Sequence, residues 1–246
     1  MTRIAVVDYG AGNLVSIEQA LATVGARVSI ADGPDQLAAA DGLIVPGVGA
    51  AGPAMERLRA QGLVEPIRRW IAAGRPFLGI CLGLQLLFEA SDEDGAETLA
   101  VLRGRTRRLA NAPTLPHIGW NQVRRTRDHS IFDGIEPDAD FYFVHSFAGE
   151  LEPGSAGAAL ATTEHGDRFV SAVAVGALVG VQFHPERSGD DGLRLLANFT
   201  ALVARSAPAA DAADAADTGG AAGGATPAGA ATSAEIALAA PAATVG

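Results

Sequence analysis

The chain has 246 residues, a formal net charge of −10, five histidines and a single cysteine, Cys81. The acidic balance argues against general nucleic-acid binding, one cysteine precludes an internal disulfide and suits a reducing cytoplasm, and no apolar run approaches the ~20 residues that a membrane span needs. The histidines lack metal-ligand spacing, so no metal or other cofactor is expected, and no signal peptide precedes the first apolar segment.

In chain order, residues 4–8 read as a strand, residues 14–24 as a helix capped by Asn13 and ended by Gly25, and residues 27–30 as a second strand. Gly10-Ala11-Gly12 lies between the first two elements; without a third glycine and a suitably placed acidic residue it is a tight turn rather than a dinucleotide fingerprint. Residues 43–45 and 77–80 are short apolar runs of the kind buried on both sheet faces, with helical stretches at 54–58 and 63–73 between them. This alternation predicts an α/β fold with a mostly parallel open sheet and helices on both faces. From residue 118 onward the pattern changes to short alternating strands, including 169–175 and 178–183 joined at Gly176, which predict an antiparallel extension. A helix over 193–204 closes the domain.

The predicted domain spans residues 1–206. Residues 207–246 are dominated by Ala, Gly, Pro, Thr and Asp, with an imperfect Ala-Asp repeat at 210–217. Such a segment cannot bury enough surface to offset its ordering entropy and is expected to be a disordered tail. Its alanines inflate the 48% hydrophobic fraction. The arginine clusters Arg103, Arg105, Arg107, Arg108 and Arg124, Arg125, Arg127 read as solvated faces.

Chemistry concentrates at Gly79-Ile80-Cys81-Leu82-Gly83-Leu84-Gln85, where a buried strand breaks directly into residues with helical apolar spacing. A thiol there sits as in a nucleophile elbow, whose strained backbone requires small residues two positions to each side. The amides at the start of the following helix favour a thiolate. A lone cysteine with apolar neighbours is more often inert core, and only a matching base reverses that reading. Gly180-Val181-Gln182-Phe183-His184-Pro185-Glu186 supplies one: the alternating apolar residues make a strand, near whose end His184 and Glu186 project from one side. His184 accepts the thiol proton and Glu186 fixes its tautomer. Pro46-Gly47-Val48-Gly49, after a strand, is the candidate source of backbone donors for an oxyanion. Gln85, four residues after Cys81 on the same helix face, is placed for its amide to reach a substrate over the thiol.

These motifs together resemble the class I (triad) glutamine amidotransferases. Three further stretches, Asp8-Tyr9-Gly10-Ala11-Gly12-Asn13-Leu14, His117-Ile118-Gly119-Trp120-Asn121 and Tyr142-Phe143-Val144-His145-Ser146-Phe147, narrow the resemblance to glutaminase subunits of imidazole glycerol phosphate synthases, over residues 3–203. The resemblance implies a flavodoxin-like fold and hydrolysis of L-glutamine to glutamate and ammonia through a thioester. It further implies a heterodimer with a cyclase barrel subunit that takes the ammonia to form imidazole glycerol phosphate and aminoimidazole carboxamide ribotide in histidine synthesis. Carried over by residue, Cys81 is the nucleophile, His184 base and then acid, and Glu186 the orienting carboxylate. Val48, Gly49 and Leu82 form the oxyanion hole. Gly49, Gln85, Ser146 and Phe147 cradle glutamine, and Asn13, Trp120, Tyr142 and Arg187 face the partner. For Trp120 an inward core position is nearly as good a reading.

Between residues 89 and 109 the sequence departs from the family, which carries a glycine-rich segment and a Leu-Pro-Gly turn. Here Leu99-Ala100-Val101-Leu102-Arg103-Gly104-Arg105 stands instead. Two alternatives remain. One is a glutaminase serving anthranilate or aminodeoxychorismate synthesis, although those relatives typically carry His where Leu84 stands. The other is a noncatalytic module of the same fold.

Overall fold

The computed structural model describes residues 2–206; the tail expected at 207–246 lies outside the described residues. The first half alternates strand and helix: β1 (Arg3–Val7), α1 (Leu14–Thr23), β2 (Arg27–Ala31), α2 (Pro34–Ala38), β3 (Gly42–Val45), α3 (Ala51–Ala60), α4 (Val64–Ala72), β4 (Phe77–Ile80) and α5 (Leu82–Gln85). The second half is mostly strand: β5 (Ala90–Ser91), β6 (Gly104–Arg108), β7 (His117–Gln122), β8 (Arg124–Arg125), β9 (Asp140–His145), β10 (Phe147–Leu151), β11 (Ala159–His165), β12 (Asp167–Val175) and β13 (Leu178–Val181), before α6 (Gly189–Ser206).

The main sheet has the order β2-β1-β3-β4-β13-β12-β11-β8. From β2 to β13 all neighbours are parallel, and the last three strands are antiparallel. Both faces are covered. Ile4 and Val6 of β1 point into one core with Ile17 and Leu21 of α1 and Leu195 and Phe199 of α6. Ala5 and Val7 point into the other, with Met55 and Leu58 of α3 and Ile67 and Trp70 of α4. The strand period of two feeds the two layers, which is why these runs are apolar throughout. Helix α1 begins and ends as expected: the Asn13 side chain accepts from the Ser16 amide at 3.3 Å, and Gly25 takes φ +81° beyond its end.

Strand β13 alters the predicted layout. Its sequence joins it to β12 in an antiparallel hairpin, yet it also lies parallel beside β4, with Val181 opposite Ile80. The last parallel pair of the sheet therefore consists of the strand that ends at Cys81 and the strand that leads to His184. Helix α5 is also shorter than the apolar run after Cys81 suggests. It ends at Gln85, because residues 86–88 instead accept bonds from a returning segment: Leu99 N to Leu86 O at 2.9 Å, Ala100 N to Phe88 O at 2.9 Å and Leu102 N to Leu87 O at 2.8 Å. This fold-back accommodates the departure at residues 99–105, burying Leu99, Val101 and Leu102. A dipole over four residues is small, so the helix offers the Cys81 position less than its sequence suggests.

The arginine clusters are solvated, with internal ties. Arg105 pairs with Asp92 at 2.8 Å and Arg107 with Glu150 at 3.3 Å, while Arg125 and Arg127 donate to the carbonyls of Ile135 and Ala174.

Candidate active site

Cys81 occupies φ 54°, ψ −105°, between β4 and α5. A non-glycine residue at positive φ costs ~1–3 kcal/mol and persists only where its surroundings impose it. Here they do. The Cys81 amide donates to Val181 O at 2.7 Å, and the flanking glycines let chains cross at the elbow. A Cβ on Gly83 would collide with the Val45 carbonyl, and one on Gly79 with the backbone of Gly83 and Leu84. The small-residue requirement read from sequence is therefore a contact between main chains.

His184 follows β13 and caps a single 3-10 turn, Pro185–Arg187. It is this turn, not strand alternation, that brings Glu186 back: Glu186 Oε1 lies 2.8 Å from His184 Nδ1, with the side chains 3% and 6% exposed. Nδ1 therefore donates to the carboxylate, which leaves Nε2 as the ring atom for the thiol. That Nε2 is buried and finds no hydrogen-bond partner among the described residues. Burial lowers the proton affinity of His184, but the neighbouring Cys81 sulfur and the Glu186 carboxylate outweigh it and push its pKa up to about 10. His184 therefore holds its proton at neutral pH, positively charged beside the Glu186 carboxylate.

A titration follows. Nitrogen-15 NMR should find His184 doubly protonated at neutral pH and titrating far above an ordinary imidazole, with a lower pKa in both Glu186→Gln and Cys81→Ala. Because the folded pKa is raised above the unfolded value, the stabilisation carried by His184 is complete below about pH 6.5 and is lost as pH rises toward about 10. An unshifted His184 in the intact protein would remove the ion pair.

The segment expected to form an oxyanion hole, residues 46–49, is tied to the expected donor at Leu82. The Leu82 amide donates to Gly47 O at 3.3 Å, so this expected donor is held by a carbonyl of the segment supposed to work beside it. Tyr9, absent from the sequence-level candidates, donates its buried hydroxyl to Pro46 O at 2.7 Å. A Cβ on Gly47 would strike that hydroxyl. Val48 and Gly49 are exposed, Gly49 at φ +93°.

Gln85 Nε2 is turned into the protein, donating to Phe147 O at 2.8 Å and to Gln182 Oε1 at 3.1 Å. Only its Oε1 is left for a ligand. Gln182 was not singled out from sequence, since it reads as one residue of a strand. Fully buried, it donates to Cys81 Sγ at 3.5 Å. Sγ also lies 4.0 Å from Val144 O. Ser188 is a third residue that its sequence does not mark: its hydroxyl donates to His184 O at 2.6 Å and accepts from the Tyr142 amide at 3.0 Å, tying the histidine turn to β9. Ser146 and Phe147 form the junction of β9 and β10 next to Gln85.

The four expected partner-facing residues divide. Trp120 is 57% exposed, which overturns its core reading. It meets the Tyr142 ring edge-on at 6.3 Å between centroids, and the Arg187 guanidinium lies 4.1 Å over the other side chain of that pair, Tyr142. These three are one cluster. Asn13 stands apart as the cap of α1.

The family model for glutamine amidotransferase class-I matches residues 5–202. The chain belongs to the class I glutamine amidotransferases. Relatives of this amidotransferase named imidazole glycerol phosphate synthase subunit HisH include one from Symbiobacterium thermophilum, 48% identical over 82% of this chain and 95% of the relative. One from Nocardia farcinica is 49% identical over 81% and 98%, respectively. In fold, the amidotransferase resembles a solved glutamine amidotransferase at TM-score 0.65, with 21% identity over 81% of this chain and 98% of the other. It also resembles a chain of PurLQS from Thermotoga maritima at TM-score 0.64, with 18% identity over 80% and 97%. Among the described residues of this amidotransferase, no cluster of three or more His, Cys, Asp or Glu could hold a metal, and no helix is long and apolar enough to cross a membrane.

Proposed function

We propose that this chain is the glutaminase subunit of an imidazole glycerol phosphate synthase, with residues 1–206 as its catalytic unit and the cytoplasm as its compartment. The observation that carries the reading is the identity to subunits of that name, 48% over 95% of the Symbiobacterium relative, in a chain whose His184 and Glu186 side chains meet at 2.8 Å. The Cys81 thiolate attacks the side-chain amide carbon of L-glutamine, and the C–N bond breaks as His184 delivers its proton to departing ammonia. A water then attacks the thioester with His184 taking its proton, glutamate leaves, and the thiolate is restored. Glu186 stabilises the charged imidazole at each turn.

The partner is a cyclase barrel that consumes the ammonia. Strand β7 supports a docking face there because its polarity is inverted: His117, Gly119 and Asn121 turn inward, while Ile118 and Trp120 are 60% and 57% exposed. Val48, in the segment expected to supply oxyanion donors, is a further exposed apolar side chain. The bond from the Leu82 amide to Gly47 O supports a closed resting state, which partner and synthase ligand together must open.

Copurification with a cyclase-like barrel, followed by glutaminase assays with and without the synthase ligand, tests this. One oxyanion donor is worth ~10²–10³ in kcat, so the liganded complex should exceed the isolated chain by about that factor. Comparable turnover by the two would sink the closed-state reading.

A further inference from the structure

Two buried histidines, His117 and His145, take no part in the steps above. They sit directly opposite each other in the antiparallel ribbon of β7 and β9, with His117 Nδ1 3.1 Å from His145 Nε2. Which nitrogen carries the proton follows from the groups at the two ends. The Gln122 amide donates to Asn121 Oδ1 at 2.8 Å, which turns Asn121 Nδ2 toward Glu164 O at 2.9 Å and His117 Nε2 at 3.1 Å. An amide nitrogen can only donate, so His117 Nε2 accepts and its proton is on Nδ1. His145 Nε2 must then accept, and its own proton, on Nδ1, goes to Phe147 O at 2.8 Å. The same carbonyl receives Gln85 Nε2, whose other hydrogen goes to Gln182 Oε1, which leaves Gln182 Nε2 as the donor on Cys81 Sγ.

Every link is thus determined in direction, from a main-chain amide of the β7 ribbon to the sulfur. We propose that His117 and His145 are positioning residues, held neutral in one tautomeric arrangement so that the Phe147 carbonyl and the Gln85 and Gln182 amides are locked around the thiol where glutamine binds. A proton added to either ring would set two N–H groups face to face, so the arrangement and the charge exclude each other. The surroundings agree: burial and then the charge of His165 lower the pKa of His117 to about 4, and burial, with the charges of His117, His165 and His184, lowers that of His145 to about 3 against the raising effect of its bond to Phe147 O. His165 stacks on His117 with ring centroids 4.0 Å apart.

The functional half of this inference rests on the glutaminase reading, whereas the tautomer half does not. Nitrogen-15 NMR of the full chain should find His117 and His145 neutral, each protonated at Nδ1, from pH 8 down to at least pH 5. In the complex, His145→Phe should raise the glutamine KM about tenfold with a smaller effect on kcat. His145→Gln, which keeps one donor and one acceptor, should recover most of the loss. Titration near 6.5, an Nε2–H tautomer at His145, or a His145→Phe variant with wild-type KM would each overturn the inference. A wild-type complex that turns over no glutamine would instead defeat the glutaminase reading, and the tautomers would still decide the histidine pair.

Discussion

Cys81→Ala should lower glutamine-dependent synthesis by the complex at least ~10⁴-fold while leaving synthesis from added ammonium salts within about twofold of wild type. Loss of a nucleophile removes the covalent route, and members of such a unit fail together rather than in proportion. The substitution leaves the packing intact, because the thiol's hydrogen-bond contacts, to Val144 O at 4.0 Å and Gln182 Nε2 at 3.5 Å, are long, and the elbow conformation costs alanine the same positive φ. The measurement is product formation with each nitrogen source in turn. Unchanged glutamine-dependent synthesis would expose a wrong nucleophile or favour a noncatalytic module, and loss of both activities would mean that the variant no longer supports its partner.

Gly83→Ala is expected to destabilise the chain by at least ~3 kcal/mol, lowering Tm by roughly 6–12 °C for a domain of this size. Two effects oppose each other. Alanine in place of glycine inside a helix ordinarily stabilises by up to ~1 kcal/mol. Here the new Cβ meets the Val45 carbonyl, a backbone atom in the middle of the sheet that cannot rotate away, and steric cost decides the sign. Displacing Val45 also moves the oxyanion segment that begins at the next residue, so activity should fall with stability. Gly154→Ala, in open space on a surface turn, is the control and should change stability by less than ~0.5 kcal/mol. Thermal melts of the two variants beside wild type settle the comparison. Equal melting temperatures would show that the β3 and α5 backbones are less closely opposed than described.

The parallel half of the fold was legible because its cues are local. Apolar runs at residues 43–45 and 77–80, a cap at Asn13 and a stop at Gly25 each act within a few residues, and the elements form where those cues lie. Strand β13 was harder to place, since its tight connection to β12 reports an antiparallel neighbour and nothing in it reports β4. The β7 ribbon defeats pattern reading for a different reason. In His117-Ile118-Gly119-Trp120-Asn121-Gln122, alternation alone would turn Ile118 and Trp120 inward, but His117 can be buried because His145 and Asn121 satisfy it, and the apolar residues are left outside.

Within the site, Cys81, His184 and Glu186 were readable because spacing and residue type each demand something unusual: glycines two positions to either side of a thiol, and a proline between a histidine and a carboxylate. Gln182, Tyr9 and Ser188 carry no such mark. Each is an ordinary residue in its segment, and its importance arises from a contact made across 101, 37 or 46 residues of chain.

The sequence by itself determined the chemistry available to this protein, a thiol at a strained strand-to-helix break with an imidazole and carboxylate to serve it, since these depend on residue identity and short-range geometry. Only the tertiary structure decided the state of that chemistry. Packing β13 against β4 sets the strand that leads to His184 beside the strand that leads to Cys81, the Leu82 amide is held by the Gly47 carbonyl, and the proton arrangement from Asn121 to Cys81 follows from which groups meet across strands. Long-range contacts set these because hydrogen bonds are satisfied in space, whichever residues happen to be neighbours along the chain.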